Sequence, residues 1–533
     1  MQRSRSRGPL FTFMAMAMAM ARATIAGPHC ESPLMPLEWV AACEAAELFY
    51  APLSAPAEPK PQLSNGRIGT LVGSDSIYSD GLRNGDSFGK NGSASVRARI
   101  PSLRTIVVGD APDLTGTGRA LDVARAQFLT RRRLCGGGLS VHERWFAHAT
   151  RPWLLIHEIN LTSSANKDCI VEVQAAMSAP SDDLILAEKT EAGVHVMSGH
   201  NKIPETNGTA LTHVAAASNL PPCIRETHAL GRMPLCAVNV TVRAGSKQTL
   251  LFLTAVLTSI HPGDSGPSGL VTDAINKLHV AMGMDADALF AEHAEEWARR
   301  LAGSGAIHVV GDWNLSRAVN ASLYALRTEA RADGGSSQAS LSPGGLSTNG
   351  YKGHLFWDME TWMLPPLLLL EPDVARALLQ YRWARNESAA HLAAVCGKDP
   401  NTAWCPPGYT PADGALRFPW ESALSGLEVQ YEGGHIGAWG RNEVHISADI
   451  ALACASYFFA SGDLDWLRSI GFPLIRGVSS FFAARLSLLP TGGYGILHAM
   501  GPDEYAQHVD NSQYTVGASL NIAHVAYPLP PPQ

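Results

Sequence analysis

The sequence predicts a multidomain β + α protein, an N-terminal antiparallel β-sandwich followed by a helical barrel whose loops gather at one working face. Three observations predict it. From about residue 45 to 285, short alternating or β-branched runs are separated by Gly, Asn, Asp and Pro; Cys169-Ile-Val-Glu-Val-Gln, Gly193-Val-His-Val-Met and Ala237-Val-Asn-Val-Thr-Val are examples. From about 286 the apolar residues recur at helical intervals instead. Long loops rich in Gly, Pro and Trp, at 332–357, 396–442 and 489–511, join the later helices.

In chain order, the first segment, 1–26, reads as a targeting sequence. Arg3, Arg5 and Arg7 precede an uncharged apolar run from Pro9 to Ala21, and Ala21-Arg22-Ala23 fits a small-x-small cleavage site. A secretory signal is expected, with an organelle transit peptide or a cytoplasmic location as the alternatives. Sequons at Asn91, Asn160, Asn207, Asn239, Asn314, Asn320 and Asn386 agree with secretion. The β-sandwich is expected over 40–285, because many short strands at turn-marked spacing pack most readily as two antiparallel sheets. A linker helix follows over 286–309, with Leu, Phe, Trp and Ala at helical intervals in Ala288–Ala302. The helical part is expected over 310–526, with helices at Trp313–Ala330, Asp358–Leu370, Asp373–Ala390, Val444–Ala460, Asp463–Leu488 and Ser512–Ala526. Asp373 and Asp463 have the position of helix starts. The tail 527–533 is rich in Pro and does not continue a helix.

Composition narrows the function. The 533 residues are 46% hydrophobic, enough for a large core and against a mainly disordered chain. A formal net charge of -7 argues against a nucleic acid or an anionic membrane as the main partner. No apolar run reaches the roughly 18 residues of a membrane span. The nine cysteines include no CxxC pair, so metal and redox readings are poor. Cys396 and Cys405 bracket a Pro- and Gly-rich loop, either as a local disulfide or as two free thiols.

Four loops carry chemistry. Gly353-His-Leu-Phe-Trp-Asp-Met-Glu-Thr-Trp sets Asp358 and Glu360 beside Trp357 and Trp362. Sugars ask for that mixture, since aromatic faces stack on pyranose C–H groups and carboxylates accept from hydroxyls. The plainer alternative is a helix start capped by Asp358 over core tryptophans. Phe418-Pro-Trp-Glu-Ser repeats the pairing with Trp420 and Glu421. Arg441-Asn-Glu-Val-His places Glu443, His445 and Asp449 near a helix start. The i, i+2 spacing of Glu443 and His445 does not share a helix face, so no metal is expected. Met500-Gly-Pro-Asp-Glu-Tyr presents a carboxylic acid on a stiff loop, as protonation of a glycosidic oxygen requires. Spacing alone leaves Asp503 and Glu504 as alternatives for that acid.

Taken in order and spacing, FWDxE, PWES, EVHI, GPDEY and DNSxYT resemble glycoside hydrolase family 65. Leu63-Ser-Asn-Gly-Arg-Ile-Gly-Thr, Gly81-Leu-Arg-Asn-Gly and Arg97-Ala-Arg-Ile-Pro extend the likeness to the first half. The resemblance implies a β-sandwich, a linker helix and an (α/α)6 catalytic barrel acting on α-glucosides by inversion, with water or with phosphate. It implies Glu504 as general acid and Asp358 as a carboxylate required in the glucose pocket. Trp357 joins that pocket, and Trp420, Glu421, Glu443 and His445 line the cleft. The expected substrate is an α-glucoside or glycopeptide, of the glucosyl-galactosyl-hydroxylysine or kojibiose type, and no cofactor is expected. The family's hydrolytic base is a Glu in a later EPGExVKQADVV-like motif, which this sequence lacks. The expectation is therefore a truncated, incomplete barrel without its general base. The alternatives are a disaccharide phosphorylase of the same fold and a catalytically impaired sugar-binding fragment.

Overall fold

The computed structural model describes residue 30 and residues 35–526, apart from 52–60, 88–94, 109–112, 207–209, 220–224, 228–234, 262, 302–306, 308, 334–340, 399–401 and 433–434. The targeting segment, the tail, Cys223 and the sequons at Asn91 and Asn207 lie outside the described residues.

The first half is built on a nine-stranded antiparallel sheet. Its spatial order is Leu48–Ala51, Asp113–Asp122, Gln127–Leu134, Leu139–Ala147, Leu154–Ser163, Lys247–Thr258, His213–Ser218, Val194–Asn201 and Leu184–Glu191. Alternation along each strand decides what covers each face. Leu154, Ile156, Ala215, Ala217, Leu253 and Ala255 point to one side, onto helix α1 (Leu270–Met282) and Leu289 of helix α2 (Ala286–Arg300). Val214, Ala216 and Val256 point to the other side, onto Ile68, Ile77 and Ile100 of a four-stranded sheet. Further along that second side, Val141, Ile159 and Leu161 meet Val171, Val173 and Val242 of another four-stranded sheet.

Helix α1 lies inside the segment expected to be sheet. Its buried residues, Leu270, Ala274, Ile275, Leu278 and Ala281, follow a helical stripe that matches the flat apolar face of the large sheet. Helix α2 begins at an Asp285 cap whose side chain accepts from the Asp287 and Ala288 amides.

The second half is helical: α3 (Trp313–Glu329), α4 (Leu364–Leu370), α5 (Pro372–Trp383), α6 (Asn386–Val395), α7 (His445–Ser461), α8 (Phe472–Arg485) and α9 (Gln513–Ala526). Helix α7 packs on α5, α8 and α9. It is buried almost all round, as its apolar sequence on every face requires. It ends at Gly462 in the left-handed conformation (φ 65), and Asp463 then accepts from the Trp466 amide. The helix expected over Asp373–Ala390 is two helices. The chain turns at Ala384–Arg385, where the Arg385 guanidinium lies 3.7 Å from the centre of the Tyr381 ring and the Asn386 side chain donates to Trp383 O. Glu371 fastens the two halves, accepting from Arg300 of α2 (Nη2, 2.7 Å) and Arg327 of α3 (Nε, 2.6 Å).

Disulfides join Cys30 to Cys43, Cys135 to Cys169 and Cys396 to Cys405, while Cys454 is free and buried.

Candidate active site

Trp357 and Asp358 end a tightly turned loop. The backbone pairs Leu355 with Ser422 in both directions at 2.9 Å, which joins this loop to the one carrying Trp420 and Glu421. A single π-type turn, Met359–Met363, then leads into α4, and such turns recur at functional sites. Trp357 is buried and meets three rings edge to face: Trp362 at 4.6 Å, His445 at 5.0 Å and Tyr514 at 6.2 Å. Asp358 accepts from the Trp362 indole N–H at 3.2 Å, and burial raises its carboxyl above the ordinary value. Glu360, the other carboxylate of that loop, is turned into the core, where it pairs with Arg382 at 2.8 and 3.1 Å.

Trp420 is held by its backbone. The buried Glu428 carboxylate accepts from the amides of Trp420 (2.8 Å), Glu421 (3.1 Å) and Gln430 (3.2 Å). The Trp420 ring stands edge-on to Phe356 at 5.1 Å and stacks on Trp439 at 6.1 Å. Glu421 is buried with Oε1 at 2.7 Å from His354 Nδ1, so part of its hydrogen-bonding capacity serves the loop itself.

At the first turn of α7, His445 lies between two carboxylates. Nδ1 is 2.7 Å from Asp449 Oδ2 and Nε2 is 3.1 Å from Glu443 Oε1. Asp449 also accepts from the Tyr514 hydroxyl at 2.9 Å. Burial opposes a charge on the imidazole, but the hydrogen bonds to Asp449 and Glu443 and their charges outweigh it and hold it up at about 9. His445 is thus a fixed cation at neutral pH, and burial raises the Glu443 carboxyl beside it.

Glu504 sits on a loop pinched at its base, where Ala499 and Val509 exchange backbone bonds of 3.0 and 2.7 Å. The Met500 amide donates to Asn442 O, and the Asn442 side chain donates to Gln507 O. The loop is thereby fastened to the residues just before α7. Asp503 is exposed and accepts from the Tyr505 amide, a local turn contact. Glu504 is half-buried. Burial, followed by the negative charges of Glu443 and Asp358, pushes its carboxyl up to about 7. The Trp439 indole N–H acts on it weakly in the opposite direction, short of a full hydrogen bond.

The structure therefore brings Trp357, Asp358, Trp420, Glu443, His445 and Glu504 to one region, with Glu421 behind Trp420 on His354. Sequence reasoning missed Trp439 and Tyr351, whose ring stands edge-on to Phe356 at 5.7 Å, and gave no role to Tyr514. Tyr514 had the signal of lying in the DNSxYT run. Trp439 had only a Gly-rich surrounding, and Tyr351 reads locally as part of a turn.

Residues 320–526 match the family model "Glycosyl hydrolase family 65 central catalytic domain". The chain is 33% identical over 468 residues to the "Protein-glucosylgalactosylhydroxylysine glucosidase" of Dictyostelium discoideum, covering 85% of this chain and 59% of that protein. It is 28% identical over 390 residues to the "Kojibiose hydrolase" of Flavobacterium johnsoniae, covering 70% of this chain and 52% of that protein. It therefore spans between about half and three fifths of these curated relatives' length. The solved structure "Putative kojibiose phosphorylase from human microbiome" superposes with a TM-score of 0.71 at 14% identity, over 91% of this chain and 65% of that one, and so shares the fold. Residues 320–526 are thus similar to the catalytic domain of glycosyl hydrolase family 65.

Proposed function

From that similarity, we propose that the protein is an inverting α-glucoside hydrolase in which Glu504 is the general acid. The observation that carries the proposal is the Glu504 carboxyl, held up to about 7 by burial and by two neighbouring carboxylates. A group that must give its proton to a departing sugar oxygen at neutral pH needs a value in that range. Asp358 and Trp357 form the glucose pocket, and Trp420, Glu421, Glu443 and His445 line the cleft around it. The substrate is an α-glucoside of the kojibiose or glucosyl-galactosyl-hydroxylysine type, which are the sugars in the relatives' names. The helices form part of an (α/α)6 barrel, and the sheets form a β-sandwich against it. The disulfides among the described residues support a secretory location, where thiols are oxidised.

Inversion needs a second carboxylate to take a proton from water. Among the described residues, the carboxylates near Glu504 are Asp358, which accepts from Trp362, and Glu443, which accepts from His445 through Oε1 and keeps Oε2 unpartnered; in this reading both hold sugar hydroxyls. We place the base outside the described residues and read the chain by itself as a weak catalyst. Losing a base costs roughly 10²–10⁴ in rate. The test is glucose release from kojibiose with and without phosphate, by this chain and by a version extended with the relatives' later segment. Slow hydrolysis by the short form, accelerated in the long one and indifferent to phosphate, is expected. Glucose 1-phosphate as the product would replace hydrolysis with phosphorolysis, and equal rates would place the base within the chain.

A further inference from the structure

Tyr351, Lys352 and Gly353 have φ of 52, 54 and 65, three successive residues in the left-handed region. L side chains resist that conformation, and it persists only where the surroundings over-determine it. Here the surroundings are two buried arginines from the β-sheet half. Arg83 donates to Lys352 O at 2.9 Å and to Gly353 O. Arg97 donates to Gly353 O at 3.3 Å and to Thr348 O at 3.0 Å. A Cβ at position 353 would lie 2.5 Å from Arg97 Cζ, so the guanidinium packs directly on the glycine. The clamp is thus built to hold one backbone shape, and that shape directs the Tyr351 ring onto Phe356, edge-on at 5.7 Å. Phe356 in turn stands against Trp420 and precedes Trp357 and Asp358. Burial raises the phenol above its ordinary value, and the charges of Asp358 and Glu504 add to the rise, so the ring lies within reach of both carboxylates' fields.

We infer that Arg83 and Arg97 are positioning residues that fix Tyr351 at the mouth of the cleft, where its ring contacts the leaving-group sugar. The assignment to the leaving-group side rests on the proposed function. Asp358 marks the glucose pocket and Glu504 the glycosidic oxygen, so a ring serving both stands at the junction between the two sugars. An aromatic face there stacks on the C–H face of the second pyranose.

Binding tests this apart from turnover. In the full chain carrying Glu504→Gln, calorimetry measures the affinity for kojibiose and for glucose. Kojibiose is expected to bind more tightly than glucose. Arg83→Lys is expected to weaken kojibiose binding about tenfold and leave glucose unchanged. Lys352→Gly added to Arg83→Lys is expected to restore it, because glycine takes φ > 0 without the clamp. Tyr351→Ala is expected to give the same loss with no rescue by Lys352→Gly. If Arg83→Lys fails to fold, Tyr351→Ala decides alone. Equal affinity for the two sugars in the Glu504→Gln chain, equal weakening of both sugars by Arg83→Lys, or an unchanged ratio in Tyr351→Ala would overturn the inference. A version extended with the relatives' later segment that lacks glucosidase activity, while kojibiose preference still depends on Tyr351, would remove the hydrolase proposal and leave this one standing.

Discussion

Glu504 keeps its proton near neutrality partly because two other carboxylates are close. Removing one of those charges should therefore shift it. In Glu443→Gln, the Glu504 titration is expected to move from about 7 toward the ordinary carboxylate value. Carboxyl ¹³C chemical shifts, assigned by comparison with Glu504→Gln, measure it, and an unmoved titration would disconnect the two residues. His445 gives the opposite sign. Its folded value, about 9, lies above the model-peptide value of about 6.5, so its ion pairs contribute stability that is complete below about 6.5 and lost as pH rises through about 9. The unfolding midpoint is expected to fall between those pH values in the parent chain and to fall less in His445→Gln. Trp357–Asp358 and Trp420–Glu421 stand out in the sequence because each pair is adjacent. Tyr351 does not, because the residues that fix it, Arg83 and Arg97, lie more than 250 positions earlier, and nothing in Asn349-Gly-Tyr-Lys-Gly announces them.

At the scale of elements, two left-handed glycines separate backbone strain from packing. Gly462 closes α7 with open space where a Cβ would stand, so Gly462→Ala carries only the cost of the conformation, about 1–2 kcal/mol. Gly353→Ala carries the same cost plus a clash with a buried guanidinium, and a loss of more than about 3 kcal/mol is expected. Urea titration of both variants checks the difference, and equal losses would mean that the Arg97 contact yields freely. Helix period was the most legible feature of the second half, and α3, α7 and α9 begin within a residue of the expected positions. The break between α5 and α6 was not legible, because both sides keep helical periodicity and the turn is set by Arg385 folding back on Tyr381. Helix α1 was hidden in a different way. Its Leu, Val and Ile residues read as one more short apolar run after many strands, and only the uncovered face of the large sheet explains it.

Across the whole molecule, the two halves meet at the loops that carry the site. Glu205 of the β-sheet half accepts from the amides of Leu424 (2.9 Å) and Ser425 (2.6 Å), just after Glu421. Glu329 of α3 accepts from the Leu346 amide and from Ser64 of the β-sheet half. With Arg83 and Arg97, these contacts make the β-sheet half a support for the loops rather than a separate lobe. The sequence could assign each half a fold class, but such couplings have no local signature and depend on pairs far apart in the chain. Whether Glu504 donates a proton to the leaving oxygen is measured most directly by comparing two substrates. The second glucose of kojibiose departs as an alkoxide that needs that proton, whereas α-glucosyl fluoride expels fluoride, which does not. Glu504→Gln is expected to lower hydrolysis of kojibiose by roughly 10²–10⁴ and to leave hydrolysis of the fluoride nearly unchanged. Equal losses on both substrates, or no loss on kojibiose, would contradict Glu504 as the proton donor.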